Sequence, residues 1–409
     1  MKDIRKVKSR LTRGQAVCLT GILLLTLFLS LYYTLPRLTS AVFGHDEGYY
    51  MAMARRLAEE HVFSYGDSGE PNAFVPPGLP LYLLLCFRLF GFGESGLAVM
   101  RFLQVGYTVL TVFLVYRLGS LAADGNRRVG LIAALLIASN LGFYSYTFAF
   151  LTENLYFLCM MAFALLFCYT QEKDTLALHF LSGLLFCACV MIRSAIVCIL
   201  LVLWIPVFQR HRQKSEKWLG RIAAFAAGFV LLALPWWIRN WVTLHELILF
   251  CKQPHIVFAG LAENMEGYAI PASLGGYGEI LRDLLRKDAA GTLRYLTIGK
   301  FSILFWEHPD NLNARLTAYS TAFLACVGLP ICIGGLFSKK RRAGSAAFLL
   351  YLLVVLCGVP DQRYGLQFLF YLAVCTALFL DWGVNKLSGR QEAGEKRREE
   401  SDDLGGVRL

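Results

Sequence analysis

The sequence predicts an all-α polytopic membrane protein of about ten transmembrane helices, with interfacial helices in a large first outer loop. Three observations carry this. Hydrophobic residues make up 56% of the 409-residue chain, above the roughly 45–50% of soluble domains. They gather into runs of spanning length, as at 16–35, 97–118 and 129–150. The net charge of +11 is concentrated at 2–13, 127–128, 210–221, 339–342 and 386–398, each against an apolar run. That is the pattern of cytoplasmic loops and not of a nucleic-acid-binding face.

The elements follow in order. Residues 2–13 are basic and precede a run at 16–35 that is too long for a signal peptide core and lacks a small-residue cleavage site. An uncleaved first span with its N-terminus inside is expected. Residues 46–61 read as an amphipathic helix, with Ala52, Met53, Leu57 and Ala58 on one face and Arg55, Arg56, Glu59 and Glu60 on the other. Gly66, Gly69, Pro71 and Pro76-Pro77 mark a turn-rich stretch. The apolar run 79–90 is short against the about 20 residues of a span. Placed in the interface or re-entrant, it leaves Arg127-Arg128 inside and Glu153 on the side of Asp46.

Further spans are expected at 97–120, 129–150, 154–170, 176–192, 194–209, 220–241, 314–337, 344–359 and 365–382, with both termini cytoplasmic. Arg193, between two short runs, is either a tight outer turn or a buried charge. Residues 1–385 thus form one membrane-embedded domain with outer loops at 36–96 and 243–313. The latter loop is expected to hold one or two helices. Residues 386–409 are charged and poor in aromatics, which predicts a disordered cytoplasmic tail. All of the twelve cysteines except Cys86 and Cys251 lie inside apolar runs, and their spacing fits neither a zinc site nor a disulfide framework.

Four polar clusters reach the outer face under this topology: His45-Asp46-Glu47, Thr152-Glu153-Asn154, Pro235–Asn240 and Asp361-Gln362-Arg363-Tyr364. Ionisable groups beside a bilayer are costly unless solvated, paired or used. Each cluster also has a structural reading. Asp46 suits a helix N-cap with Glu47 favoured by the helix dipole, and Glu153 suits the cap of its own span. Trp236-Trp237 suits an interfacial aromatic belt and Arg239 a snorkelling anchor. Convergence on one side of the membrane is what weighs for function.

The series resembles the GT-C superfamily of integral-membrane glycosyltransferases, in the branch of protein O-mannosyltransferases and the lipid A aminoarabinose transferase. Asp46-Glu47 matches the Asp-Glu pair after the first span, Pro76-Pro77-Gly78-Leu79 a Pro-Pro-Leu-like element, and Arg101 an Arg near the next span. Glu153 matches an acidic residue of the second outer loop. Pro235–Asn240 and Arg363-Tyr364 match later Pro-Trp-x-x-Arg-Asn and Arg-Tyr motifs. The resemblance covers most of 15–385 and implies that Asp46 is the general base. The chain departs from the aminoarabinose branch at Phe74-Val75, where that branch has Glu-Lys, and near Tyr49, where it has Arg. These differences speak against lipid A modification.

Glycosyl transfer needs a carboxylate to take the acceptor proton and cations to hold the departing phosphate. The expected catalytic residues are Asp46, Glu47 and Glu153. Expected to bind the lipid phosphate and sugar are Tyr50, Arg55, Arg101, Arg239, Asn240, Arg363 and Tyr364. No Gly-rich phosphate loop is present, and nucleotide sugars are generally absent outside the cytoplasm. The expected donor is therefore a polyprenyl-phosphate-linked sugar, and the acceptor a lipid, protein or polysaccharide at the outer face of the plasma membrane. Glu47, Glu153, His45, His255 and His308 could hold a divalent cation, but no ligand spacing calls for one. The alternatives are a transporter or flippase of lipid-linked sugars, which would place carboxylates at mid-membrane in paired halves, and a non-catalytic scaffold.

Overall fold

A computed structural model describes residues 11–204, 215–271, 274–306, 312–338 and 341–405. Residues 205–214, His308 and Lys339 lie outside that set, and with them parts of the expected inner loops around 210–221 and 339–342 and of the second outer loop. Every regular element among the described residues is helical. The chain is a multi-pass integral membrane protein.

Helix α1 (Arg13–Thr34) starts at a capping box, Thr12 accepting from the Gln15 backbone and Gln15 from that of Thr12. The segment between α1 and the next long helix carries α2 (His45–Glu59) and the short apolar α3 (Gly78–Phe90). Helix α4 (Glu94–Ala122) then crosses, and a turn capped by Asn126 opens α5 (Arg127–Ala138). Next come α6 (Thr152–Lys173) and α7 (Leu176–Ile192), followed by a 3-10 turn, Ser194–Ile199, and α8 (Leu200–Leu203). Helix α9 (Ser215–Leu244) continues through Pro235. The segment that follows holds α10 (Pro254–Ala259), α11 (Leu274–Lys287), α12 (Ala289–Arg294) and α13 (Lys300–Phe305). Helices α14 (Leu312–Gly335), α15 (Arg342–Leu356) and α16 (Gln362–Gly405) complete the chain.

Six of these helices, α1, α4, α6, α9, α14 and α16, are long and apolar enough to cross a membrane, and α3, α7, α15 and the 194–203 segment are shorter apolar helices. The expected count of about ten full spans is therefore reached only with pieces shorter than a bilayer. The clearest difference is at 129–150. Helix α5 stops at Ala138, and the chain completes its crossing in turns and a 3-10 segment, Leu141–Phe143. Asn140 makes this possible: fully buried, it caps that segment and donates to Ser320 and Thr321 of α14 at 2.9 and 3.1 Å. Irregular backbone at membrane depth survives only where protein groups satisfy it. The second difference lies in the tail, whose backbone stays helical to Gly405. Its Glu, Lys, Arg and Ala are poor core formers but good helix formers.

Contacts show which segments share an end. Asn126 donates to Asp381 of α16 at 2.9 Å and Arg127 to Gln15 of α1 at 3.5 Å, so the start of α1, the α4–α5 turn and the Asp381 region of α16 share one end. Arg117 donates to Tyr169, which brings the α6–α7 turn to that end as well. At the opposite end, Arg101 near the start of α4 gathers the chain beyond α1 and residue 148.

The long helices approach closely where side chains vanish. A Cβ on Gly183 of α7 would lie 1.9 Å from the Phe225 carbonyl of α9, and one on Gly228 of α9 2.1 Å from that of Phe180. Small residues let membrane helices meet backbone to backbone.

Candidate active site

Helix α2 is wedged at the end opposite the start of α1 and the α4–α5 turn. Met51 and Ala54 pack with Leu83, Phe87 and Met100 of α3 and α4, while Met53 packs with Met191 and Trp236 of α7 and α9. The loop that follows is tied down by arginines. Arg56 donates to the carbonyls of Ser64 and Gly66, and Arg239 of α9 donates to those of Phe63 and Asn72 at 2.9 Å each. Arg239 also sits 5.2 Å over the rings of Phe63 and Trp236.

The N-cap of α2 is Gly44, two residues before Asp46. Capping falls to Glu47, whose Oε2 accepts from Gly44 N at 3.3 Å while Oε1 accepts from Phe150 N at 2.9 Å. Glu47 thereby staples α2 to the segment before α6. Its burial pushes its carboxyl above the usual range, against the pull of those two N–H groups and of Arg101. Asp46 is left to face the cleft.

There it meets Arg363, from the first turn of α16, with Oδ2 2.7 Å from Nη2. Tyr65 donates to the other Asp46 oxygen at 3.5 Å. The Asp46 side chain is 36% exposed and that of Arg363 22%, so the pair borders the cleft without being sealed in it. Arg363 is steadied from behind: its backbone N donates to Asp361 Oδ1 at 2.9 Å, and Asp361 Oδ2 lies 3.2 Å from Nε. That last contact is off the hydrogen-bond axis, and Nε makes no hydrogen bond among the described residues. Gly365 lets α16 start here, because a Cβ would fall 2.0 Å from the Leu304 carbonyl of α13.

Behind this pair lies a second, buried one. Glu153, 1% exposed, forms an ion pair with Arg193, which also donates to Thr152 at 3.0 Å and Gln367 at 3.5 Å. Tyr351 donates to Gln367 at 2.7 Å and its hydroxyl meets that of Tyr156 at 2.8 Å. The ring of Tyr364 has a guanidinium 5.2 Å from its centroid on two accounts, Arg193 and Arg363. Arg193 therefore stands at a turn, between α7 and the 3-10 segment, with its charge largely withdrawn from solvent at 12% exposure.

Aromatic rings close one side. Tyr49 and Tyr50 pack on Tyr65 at 5.2 and 5.6 Å, Tyr65 stacks on Phe74 at 5.2 Å, and Phe74 on His255 at 4.7 Å. Burial, with the Tyr65 hydroxyl and Glu153 next, holds the Tyr50 hydroxyl well above its ordinary range; burial and then Asp46 do so for Tyr65. Burial lowers the His255 imidazole. At neutral pH these groups are uncharged walls.

Of the expected site residues, Asp46, Tyr50, Glu153, Arg363 and Tyr364 come together, while Glu47, the next residue after Asp46 in α2, turns to Gly44 and Phe150. Arg101, 1% exposed, directs its N–H groups to the carbonyls of Leu38, Ser40 and Phe148 at 2.8–3.1 Å. Arg55 lies 5.5 Å over the Phe92 ring, and Asn240 donates to the Ile248 carbonyl at 2.9 Å. With Arg239, these hold loops in place. Arg193, Tyr65, Asp361 and Gln367 join the site without having been assigned a role from sequence. Among the described residues no group of three His, Cys, Asp or Glu lies close enough to hold a metal ion. The arrangement sets a carboxylate, a guanidinium suited to an anion and neutral aromatic walls at one partly exposed site.

Comparison with known proteins gives a consistent picture. The profile of the dolichyl-phosphate-mannose-protein mannosyltransferase family matches residues 75–238, a stretch that holds Glu153, Arg193 and Trp236 but neither Asp46 nor Arg363. The chain superposes on the oligosaccharyltransferase of Archaeoglobus fulgidus in the apo form, with a TM-score of 0.52 at 15% identity over 93% of this chain and 52% of that one. It also superposes on AglB of the same organism in complex with an inhibitory peptide and a dolichol-phosphate, with a TM-score of 0.51 at 15% identity, over 94% and 52%. ArnT from Cupriavidus metallidurans bound to undecaprenyl phosphate aligns at 14% identity over 90% and 77%, with a TM-score of 0.44. The chain spans about half the length of the archaeal enzymes. No curated protein matches it by sequence. The fold is that of the membrane part of the archaeal oligosaccharyltransferase it superposes on.

Proposed function

We propose that this GT-C-fold membrane protein is an inverting glycosyltransferase. It moves a sugar from a polyprenyl-phosphate-linked donor to an acceptor hydroxyl at the outer face of the plasma membrane. The observation that carries the reading is the meeting of Asp46 and Arg363, drawn from opposite ends of the chain to 2.7 Å at one cleft. Asp46 is the general base, and Arg363 holds the phosphate that leaves the anomeric carbon. Tyr50, Tyr65 and Tyr364 form the walls along which the sugar lies. Glu47 and Arg101 fix the backbone around α2, and Glu153 acts through Arg193 on Tyr364. Arg55, Arg239 and Asn240 shape the loops through which donor and acceptor enter. The family profile, whose name specifies a dolichyl-phosphate sugar donor, supports the carrier.

The test is sugar transfer by the purified full-length protein from a labelled polyprenyl-phosphate sugar to extracts of the host envelope. Asp46→Asn should lower turnover by about 10²- to 10⁴-fold while the protein stays folded. Normal turnover in that variant would remove Asp46 from the reaction.

A further inference from the structure

We propose that the Asp46–Arg363 ion pair is a lock that the donor's phosphate opens, so that donor binds before acceptor and Asp46 acts only with donor in place. The inference rests on the glycosyltransferase reading above. In the resting protein the base and the phosphate-binding cation are in contact with each other, 2.7 Å apart. Neither can do its work in that contact.

The geometry shows which partner moves. Arg363 is anchored by Asp361 at its backbone N and beside its Nε, by the tight seating of Gly365 on Leu304, and by the Tyr364 ring. Asp46 is the more exposed of the two and has a second partner in the Tyr65 hydroxyl. A phosphate offers several oxygens to a guanidinium and can satisfy donors that the two carboxylates leave unmatched, the Nε N–H among them. It therefore displaces Asp46 and leaves Asp361 in place.

The same exchange runs backward after chemistry. The donor is a phosphodiester with one negative charge. The Asp46 carboxylate takes the acceptor's hydroxyl proton, and the acceptor oxygen bonds to the anomeric carbon. The carbon–oxygen bond to phosphate breaks, its electron pair passing to the phosphate oxygen. Asp46 is now neutral and does not compete for Arg363, which holds a phosphomonoester with one charge more. Once Asp46 gives its proton to water or to that phosphate, it is charged again and re-forms its contact with Arg363 as the spent carrier leaves.

The test is equilibrium binding of farnesyl phosphate to the full-length protein in nanodiscs, with farnesol as the uncharged control. Wild type should prefer the phosphate, and Arg363→Gln should lose that preference while Arg363→Lys keeps part of it. Asp46→Asn should bind about fivefold more tightly than wild type. Asp361→Asn removes an equal charge from the same guanidinium and should not tighten binding. Equal tightening by Asp46→Asn and Asp361→Asn would show a general field effect and overturn the lock. So would unchanged or weaker binding by Asp46→Asn, even with Arg363→Gln impaired; the glycosyltransferase reading would then stand alone. Equal binding of farnesyl phosphate and farnesol by wild type would overturn that reading itself.

Discussion

The two carboxylates of the candidate site differ sharply in surroundings. Glu153 is 1% exposed and answers to the buried Arg193, whereas Asp46 is 36% exposed and meets Arg363 at the edge of the cleft. Removing one member of a buried pair strands the other charge, a cost of about 3–5 kcal/mol, whereas a solvent-facing pair contributes about 1 kcal/mol or less. Glu153→Gln should therefore lower the unfolding temperature strongly in detergent, and the double variant Glu153→Gln/Arg193→Met should recover much of the loss. Asp46→Asn should unfold close to wild type. If Glu153→Gln unfolds at the wild-type temperature, the buried pair is not holding the two helices together. At this scale the sequence could show that Asp46 and Glu153 were both candidates, but not that one would be buried. Burial is decided by Arg193, forty residues away in the chain, and its short flanking runs gave only the hint of a charge at depth.

The helices divide by how local their causes are. The N-terminus of α2 was legible because an acidic pair after Gly44 is a first-turn signature. The division of labour within it was not, since Glu47 caps and Asp46 does not, and the N-cap is a glycine without a side chain. Helix α5 was misread as a full span because its apolar run continues, while Asn140 finds its partners in α14, far along the chain. The α7–α9 contact is likewise invisible in composition but sharp in space. Gly183→Leu should force these helices apart and cut the yield of folded protein, since its Cβ would meet backbone at 1.9 Å. Gly21→Ala, with nothing within 4 Å of the new methyl, should be tolerated or slightly stabilising. Equal yields of the two variants would mean that α7 and α9 are not packed as described.

Across the whole molecule, the basic clusters carried the topology. They predict Glu153 on the side of Asp46, and the polar contacts of Arg117, Asn126 and Arg127 gather the α4–α5 and α6–α7 turns at the other end. What they could not carry was the depth of each segment, which is why short helices and irregular backbone stand where full spans were expected. A reaction centre assembled from α2, the start of α6 and the start of α16 requires all three to open onto the compartment across from the termini. The direct measurement is labelling of single introduced cysteines in intact cells with a membrane-impermeant maleimide, read against the native cysteine background. Ser68→Cys, in the exposed loop after α2, should label from outside, and Lys173→Cys, at the far end of α6, only after the membrane is opened. Labelling of both from the same side would contradict the placement and dissolve the proposed centre with it.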